Sequence, residues 1–92
     1  MKASEDRNTQ RSVRLENQVG SYIEMTTRLL TGETPDIKVV SAEGTTIFSV
    51  ILSEGSRGAL IGRGGHTLNS LQELLRSMSG RLGHNYIVEV IG

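Results

Sequence analysis

Apolar residues recur at helical intervals in the first third of the chain. Val13, Val19, Tyr22, Ile23, Leu29 and Leu30 are spaced mostly by three, four or seven positions, which sets them along one side of a helix from about Ser12 to Leu30. Gly32 and Pro35 supply its stop. The pattern then changes period. Ile37-Lys38-Val39-Val40 and Thr46-Ile47-Phe48-Ser49-Val50-Ile51-Leu52 are rich in β-branched residues and flank Ala42-Glu43-Gly44-Thr45, which predicts two strands joined by a tight turn. In the second of these, Phe48, Val50 and Leu52 share a face.

Glu54-Gly55 is expected to end that strand, and Ser56 to cap a short helix through Arg57-Gly58-Ala59-Leu60-Ile61. After Gly62-Arg63-Gly64-Gly65, the residues Leu68, Leu71, Leu75 and Met78 fall on one side of a second helix, with Asn69, Gln72, Glu73 and Arg76 on its wetter side. Gly80 and Gly83 are expected to close this helix, and Tyr86-Ile87-Val88-Glu89-Val90-Ile91 alternates like a third strand. The predicted order is helix, strand, strand, helix, helix, strand. Residues 1–11 are polar and charged without an apolar period and are expected to form a flexible tail, leaving residues 12–92 as one domain.

The joint between the two short helices carries the candidate chemistry. A Gly-x-x-Gly turn lets the backbone bend sharply and lets another chain approach its peptide groups. The following helix would present amide groups and the positive end of its dipole near Gly65, His66 and Thr67. Phosphate oxygens suit such a place, with Arg63 adding charge at the turn. A bare Gly-x-x-Gly is more often a permissive bend with no ligand, so its surroundings carry the weight. Here they are a helix ending Leu60-Ile61, an amphipathic helix opening His66-Thr67-Leu68, two strands before and one after.

That arrangement, and above all the stretch Leu60-Ile61-Gly62-Arg63-Gly64-Gly65-His66-Thr67-Leu68-Asn69-Ser70-Leu71-Gln72, resembles the type II (prokaryotic) KH domain of bacterial Jag-type (KhpB) and single-domain (KhpA) proteins. The resemblance spans roughly Val19 to Ile91. It implies an α+β type II KH fold, with a three-stranded mixed sheet and its helices packed on one face. It also implies single-stranded RNA in a narrow cleft, its backbone clamped by the glycine turn. Carried over position by position, Gly62, Arg63, Gly64 and Gly65 would form the clamp, with Arg63 and Gly64 facing phosphates. Ile61 and Leu68 would floor the cleft, although apolar residues at helical spacing equally pack into the core. Read from the residues alone, His66 either bonds a phosphate or base or is a plain helix-start residue, and Arg57 and Arg76 either extend the phosphate track or are solubilising surface groups. Phe48 or Val50 would border the opposite wall. Jag-type proteins usually carry a further nucleic-acid-binding domain, and partners implied beside RNA are a second copy or a second KH protein.

Composition narrows the picture further. At 36% hydrophobic and 22% charged the chain is ordinary for a globular protein, while 3% aromatic removes base stacking as a main binding device. Ten basic and ten acidic residues cancel, which argues against coating nucleic acid by bulk charge. Between Gly55 and Val88, however, Arg57, Arg63, Arg76 and Arg81 face only Glu73, a local balance of +3. Zero net charge and few aromatics keep a protein-interaction or dimerisation module as the alternative function. His66 and His84 are the only histidines and cysteine is absent, so neither a metal nor another cofactor is expected. No Gly-Lys-Ser or Gly-Lys-Thr marks an ATPase loop, and no motif points to an enzyme. With no signal peptide or apolar span in the sequence, the cytoplasm is the expected compartment and no membrane partner is expected.

Overall fold

A computed structural model of the chain describes the backbone of residues 2–91 and the side chains of residues 13–91. The elements are α1 (Lys2–Thr31), β1 (Asp36–Ala42), β2 (Thr45–Ile51), α2 (Glu54–Ile61), a single 3-10 turn (Arg63–Gly65), α3 (His66–Leu82) and β3 (Asn85–Ile91). Their order is the one the hydrophobic pattern predicts.

Several boundaries differ, each for a local reason. Helix α1 starts well before Ser12, since Lys2 to Arg11 contains good helix formers and no Gly or Pro. It stops where Gly32 takes φ +80° and donates its N–H to the Arg28 carbonyl at 2.8 Å, a left-handed cap. Helix α2 starts at Glu54 with Ser53, not Ser56, at the capping position, so Gly55 lies inside the helix rather than ending a strand. Gly80 lies within α3, and Gly83 alone closes it at φ +69°, its N–H on the Ser79 carbonyl at 2.9 Å.

The sheet has the order β1-β2-β3 and is mixed. β1 and β2 are antiparallel through the turn Glu43-Gly44, whose two residues both have positive φ, as a two-residue hairpin of right-handed twist requires. β2 and β3 run parallel, with Phe48 opposite Val88 and Val50 opposite Val90. One face of this sheet carries Phe48, Val50, Tyr86 and Val88, and the helices bring Val19, Ile23, Leu60, Leu71 and Leu75 against them as one core. Gly20 lets α1 come close: a Cβ there would meet the Phe48 ring at 3.3 Å.

The stripe expected along α1 is buried along one narrow line only. Val19, Ile23 and Thr27 are covered, whereas Val13 and Leu30 are about half exposed and Leu29 is 80% exposed. Val19, Ile23 and Thr27 follow one another at four-residue spacing along the line that faces the core, whereas Leu29, two residues past Thr27 and so about 200° around the helix, points away from it.

Within the buried stretch the Thr27 hydroxyl has no hydrogen-bond partner among the described residues. Its desolvation is uncompensated, so Thr27→Val, which keeps the shape and the β-branch, should raise stability by about 1 kcal/mol in chemical denaturation.

Candidate functional site

The parallel pairing of β2 and β3 sends the chain through α2, the glycine turn and α3 before it returns to the sheet. The start of α2 is fixed from outside. Ser53 donates to Glu33 twice, through its hydroxyl to Oε1 at 2.6 Å and through its N–H to Oε2 at 3.2 Å. The hydroxyls of Ser53 and Ser56, then the Ser53 N–H, hold the Glu33 carboxyl below its ordinary value. The loop after α1 is thereby tied to the head of the helix that leads into the turn.

Helix α2 ends where Gly62 adopts φ +77° and ψ 173°, a conformation essentially confined to glycine, while its N–H still donates to the Gly58 carbonyl at 2.9 Å. Glycine is required there twice over, because a Cβ on Gly62 would lie 2.9 Å from Thr67 Cβ and 3.0 Å from Thr67 N. Gly64 (φ +63°) and Gly65 (φ +79°) are also left-handed, but a Cβ on Gly64 would point into open space. Inside the turn the Gly65 N–H donates to the Gly62 carbonyl at 3.1 Å, and the His66 N–H to that of Arg63. These two amides are therefore engaged by the turn itself and not held open for a ligand. Arg63 and Gly64 form the exposed outer tip.

Ile61, Gly62, Arg63, Gly64, Gly65, His66 and Leu68 thus stand together around one helix-turn-helix corner. Ile61 and Leu68 are half-buried, and Leu68 packs on the core while keeping part of its surface in solvent. Arg63 is exposed and, among the described residues, makes no ion pair. His66 is exposed at the first position of α3, where its carbonyl accepts the Ser70 hydroxyl at 2.9 Å. Arg57 is differently placed, with Nη1 donating to the Leu52 carbonyl at 3.0 Å, so its guanidinium ties α2 to the end of β2. Phe48 and Val50 are fully buried and form no wall of any cleft. They sit on the middle strand under the helices, which alternation along one strand cannot reveal.

The strand beside α3 is β3, an edge strand, and three α3 contacts serve its outer backbone. Gln72 Nε2 donates to the Tyr86 carbonyl at 3.3 Å and Gln72 Oε1 accepts the Val88 N–H at 3.0 Å. Ser79 Oγ accepts the Tyr86 N–H at 2.9 Å. The Gln72 carboxamide acts as a peptide unit of a missing neighbour strand. Gln72 is accordingly half-buried rather than on the wet side of α3. A polar side chain one turn beyond Leu68 gives no sign of this in the sequence, nor does Thr67 announce its contact with Gly62.

His84 lies away from the turn, its Nε2 2.8 Å from Thr46 Oγ1 and its ring 4.9 Å from that of Tyr86. Among the described residues no cluster of three or more metal-binding side chains exists, and no helix is long and apolar enough to cross a membrane.

A mixed three-stranded sheet with its helices on one face, and a glycine turn joining two helices inside the parallel crossover, defines a KH domain of type II. The family model described as KhpA/KhpB, KH domain matches residues 21–90, and the chain belongs to that bacterial family. No curated protein matches the chain significantly. Nucleic-acid binding in general follows from the membership, as does a class of proteins that is generally non-enzymatic.

Two consequences are measurable. Gly62→Ala should cost about 2–4 kcal/mol in chemical denaturation through the lost conformation and the Thr67 contact, against about 1 kcal/mol for Gly64→Ala, which meets open space. The Glu33 carboxyl is held low in the folded state, so its contribution is present at neutral pH and lost as pH falls from its ordinary value of 4.5 through the lowered one. In a urea series from pH 7 to pH 3, Glu33→Gln should remove that part of the acid destabilisation.

Proposed function

We propose that the chain binds single-stranded RNA, with the turn Gly62-Arg63-Gly64-Gly65 clamping the phosphate backbone. The observation that carries this reading is the tip of the turn. Arg63 is exposed and free of ion pairs among the described residues, beside a glycine whose Cβ position is open, at the head of a 17-residue helix whose dipole favours anions. Arg63 supplies charge-assisted hydrogen bonds to phosphate oxygens. Ile61 and the exposed part of Leu68 give an aliphatic floor beneath the sugars and bases, and His66 stands beside them as a polar contact. Arg57, committed to the Leu52 carbonyl, serves the position of α2 rather than the phosphates. Residues 12–92 act as the binding domain in this reading, preceded by residues 1–11, and the protein works in the bacterial cytoplasm.

Pairing is the second reading. KhpA and KhpB proteins pair, and the open face of the sheet sets Val40, Ile47 and Ile87 side by side across its three strands, Val40 being 61% and Ile87 39% exposed. A second copy or a second KH protein would cover this row without touching the glycine turn, so pairing and RNA binding are compatible.

The clamp is tested by Arg63→Asp with Gly64→Asp. Aspartate tolerates the left-handed conformation better than most residues, and the side-chain position is open, so the double variant should stay folded while losing at least tenfold in affinity for a short single-stranded RNA. Wild-type binding should weaken with salt at a log–log slope of about −0.7 per phosphate held, a dependence that an apolar protein contact lacks. Unchanged affinity of the folded double variant sinks the clamp.

A further inference from the structure

The KH family match begins at residue 21 while α1 begins at Lys2, so much of this helix precedes the matched domain. A row of four polar side chains ties that leading part to the sheet. Ser41 and Thr46 stand opposite each other in the antiparallel pair β1 and β2, with their hydroxyl oxygens 2.9 Å apart. On one side the Ser41 hydroxyl reaches Oε1 of Glu16 on α1. On the other, Thr46 Oγ1 lies 2.8 Å from His84 Nε2, which the left-handed turn at Gly83 brings to the head of β3. Thr46 is 1% exposed, so its hydroxyl must find its partners within the protein.

The direction of every bond follows from counting hydrogens. A carboxylate only accepts, so Ser41 gives its single hydroxyl hydrogen to Glu16. Thr46 must then be the donor to Ser41, which uses its own single hydrogen. His84 is left to donate from Nε2 to Thr46. We infer that Glu16, Ser41, Thr46 and His84 form a one-way hydrogen-bond latch that holds the leading part of α1 to the sheet, the Glu16 carboxylate ordering both hydroxyls and fixing the His84 proton on Nε2. No residue of the glycine turn takes part, so the latch is independent of the clamp.

Its leverage comes from where it sits. Val19 is buried and Gly20 lies against the Phe48 ring, but nearer the start of the helix Leu15 is only half-buried and Val13 is half exposed. Little apolar burial therefore holds α1 ahead of Val19, and the bond from Ser41 to Glu16 carries a correspondingly large share. The chain also ends on the residue next to the Gly83 cap, so the leading part of α1 is joined through two strands to the end of α3. Each donor in such a row polarises the next, so cutting one link weakens the others.

The test uses the full chain and nitrogen-15 NMR of the imidazole, at a pH where imidazole is neutral. Wild-type His84 should be the Nε2–H tautomer. Glu16→Lys puts a donor where the acceptor stood, so Ser41 must give its hydrogen to Thr46 and Thr46 its own to His84, and the tautomer should shift toward Nδ1–H. With Ser41→Ala the row is cut, and adding Glu16→Lys should leave the tautomer where Ser41→Ala alone sets it. Amide hydrogen exchange reads the latch itself. Ser41→Ala, and Thr46→Val, which keeps the shape and the β-branch, should each speed exchange in α1 around residues 13–19 roughly three- to tenfold beyond any change at Leu71 and Leu75. A His84 tautomer that ignores residue 16, or that answers to it equally when residue 41 is alanine, overturns the ordered chain. Unchanged exchange around residues 13–19 in both cut variants overturns the latch.

Discussion

β2 and β3 lie side by side and run in the same direction, and a parallel pair cannot be closed by a hairpin. The chain must leave the end of β2, cross one face of the sheet and re-enter at the start of β3. It does so with two helices, and they meet at a corner that only glycine can make at Gly62. The candidate site is thus a product of the connection. The sheet sets where α2 begins and α3 ends, and the turn between them is thrown to the surface with Arg63 at its tip.

The same constraint explains how rigid the corner is. Leu60, fully buried, fixes the last turn of α2 in the core, and Leu71 and Leu75 fix α3. The glycine turn has no freedom to drift between two helices so held, and Gly65 and His66 spend their amides on internal hydrogen bonds that shape it. The tip alone remains uncommitted. This division, a packed frame carrying a small exposed and charged apex, suits a ligand gripped by its repeating backbone more than one enclosed in a pocket.

A further consequence falls on β3. As an edge strand it would offer an unpaired backbone, a liability in any sheet. α3 lies alongside and meets part of that edge with Gln72 and Ser79. The helix that carries the turn therefore also closes the sheet, which couples the position of the turn to the integrity of the edge. The outer face of the sheet is left open, with Val40, Ile47 and Ile87 in a row.

Local pattern determined much of this. The period of Leu68, Leu71 and Leu75 sufficed for α3, the β-branched runs for β1 and β2, and four glycine-turn residues between two apolar helices for the corner, because each signal is carried by neighbours in the chain. What the sequence left undecided depends on residues far apart. Whether Phe48 is a cleft wall or core depends on what covers the middle strand, and the helices cover it completely. Arg57 reads as a free cation until the end of β2 is beside it, and Gln72 as a wet-side residue until β3 is. Leu29 belongs to the apolar series by spacing but lies about 200° around the helix from the buried Thr27, on the side away from the core. Burial and hydrogen-bond partnership are set by the three-dimensional neighbours of a side chain, so only the tertiary structure could settle them, leaving Arg63 as the arginine at the glycine turn without an ion pair among the described residues.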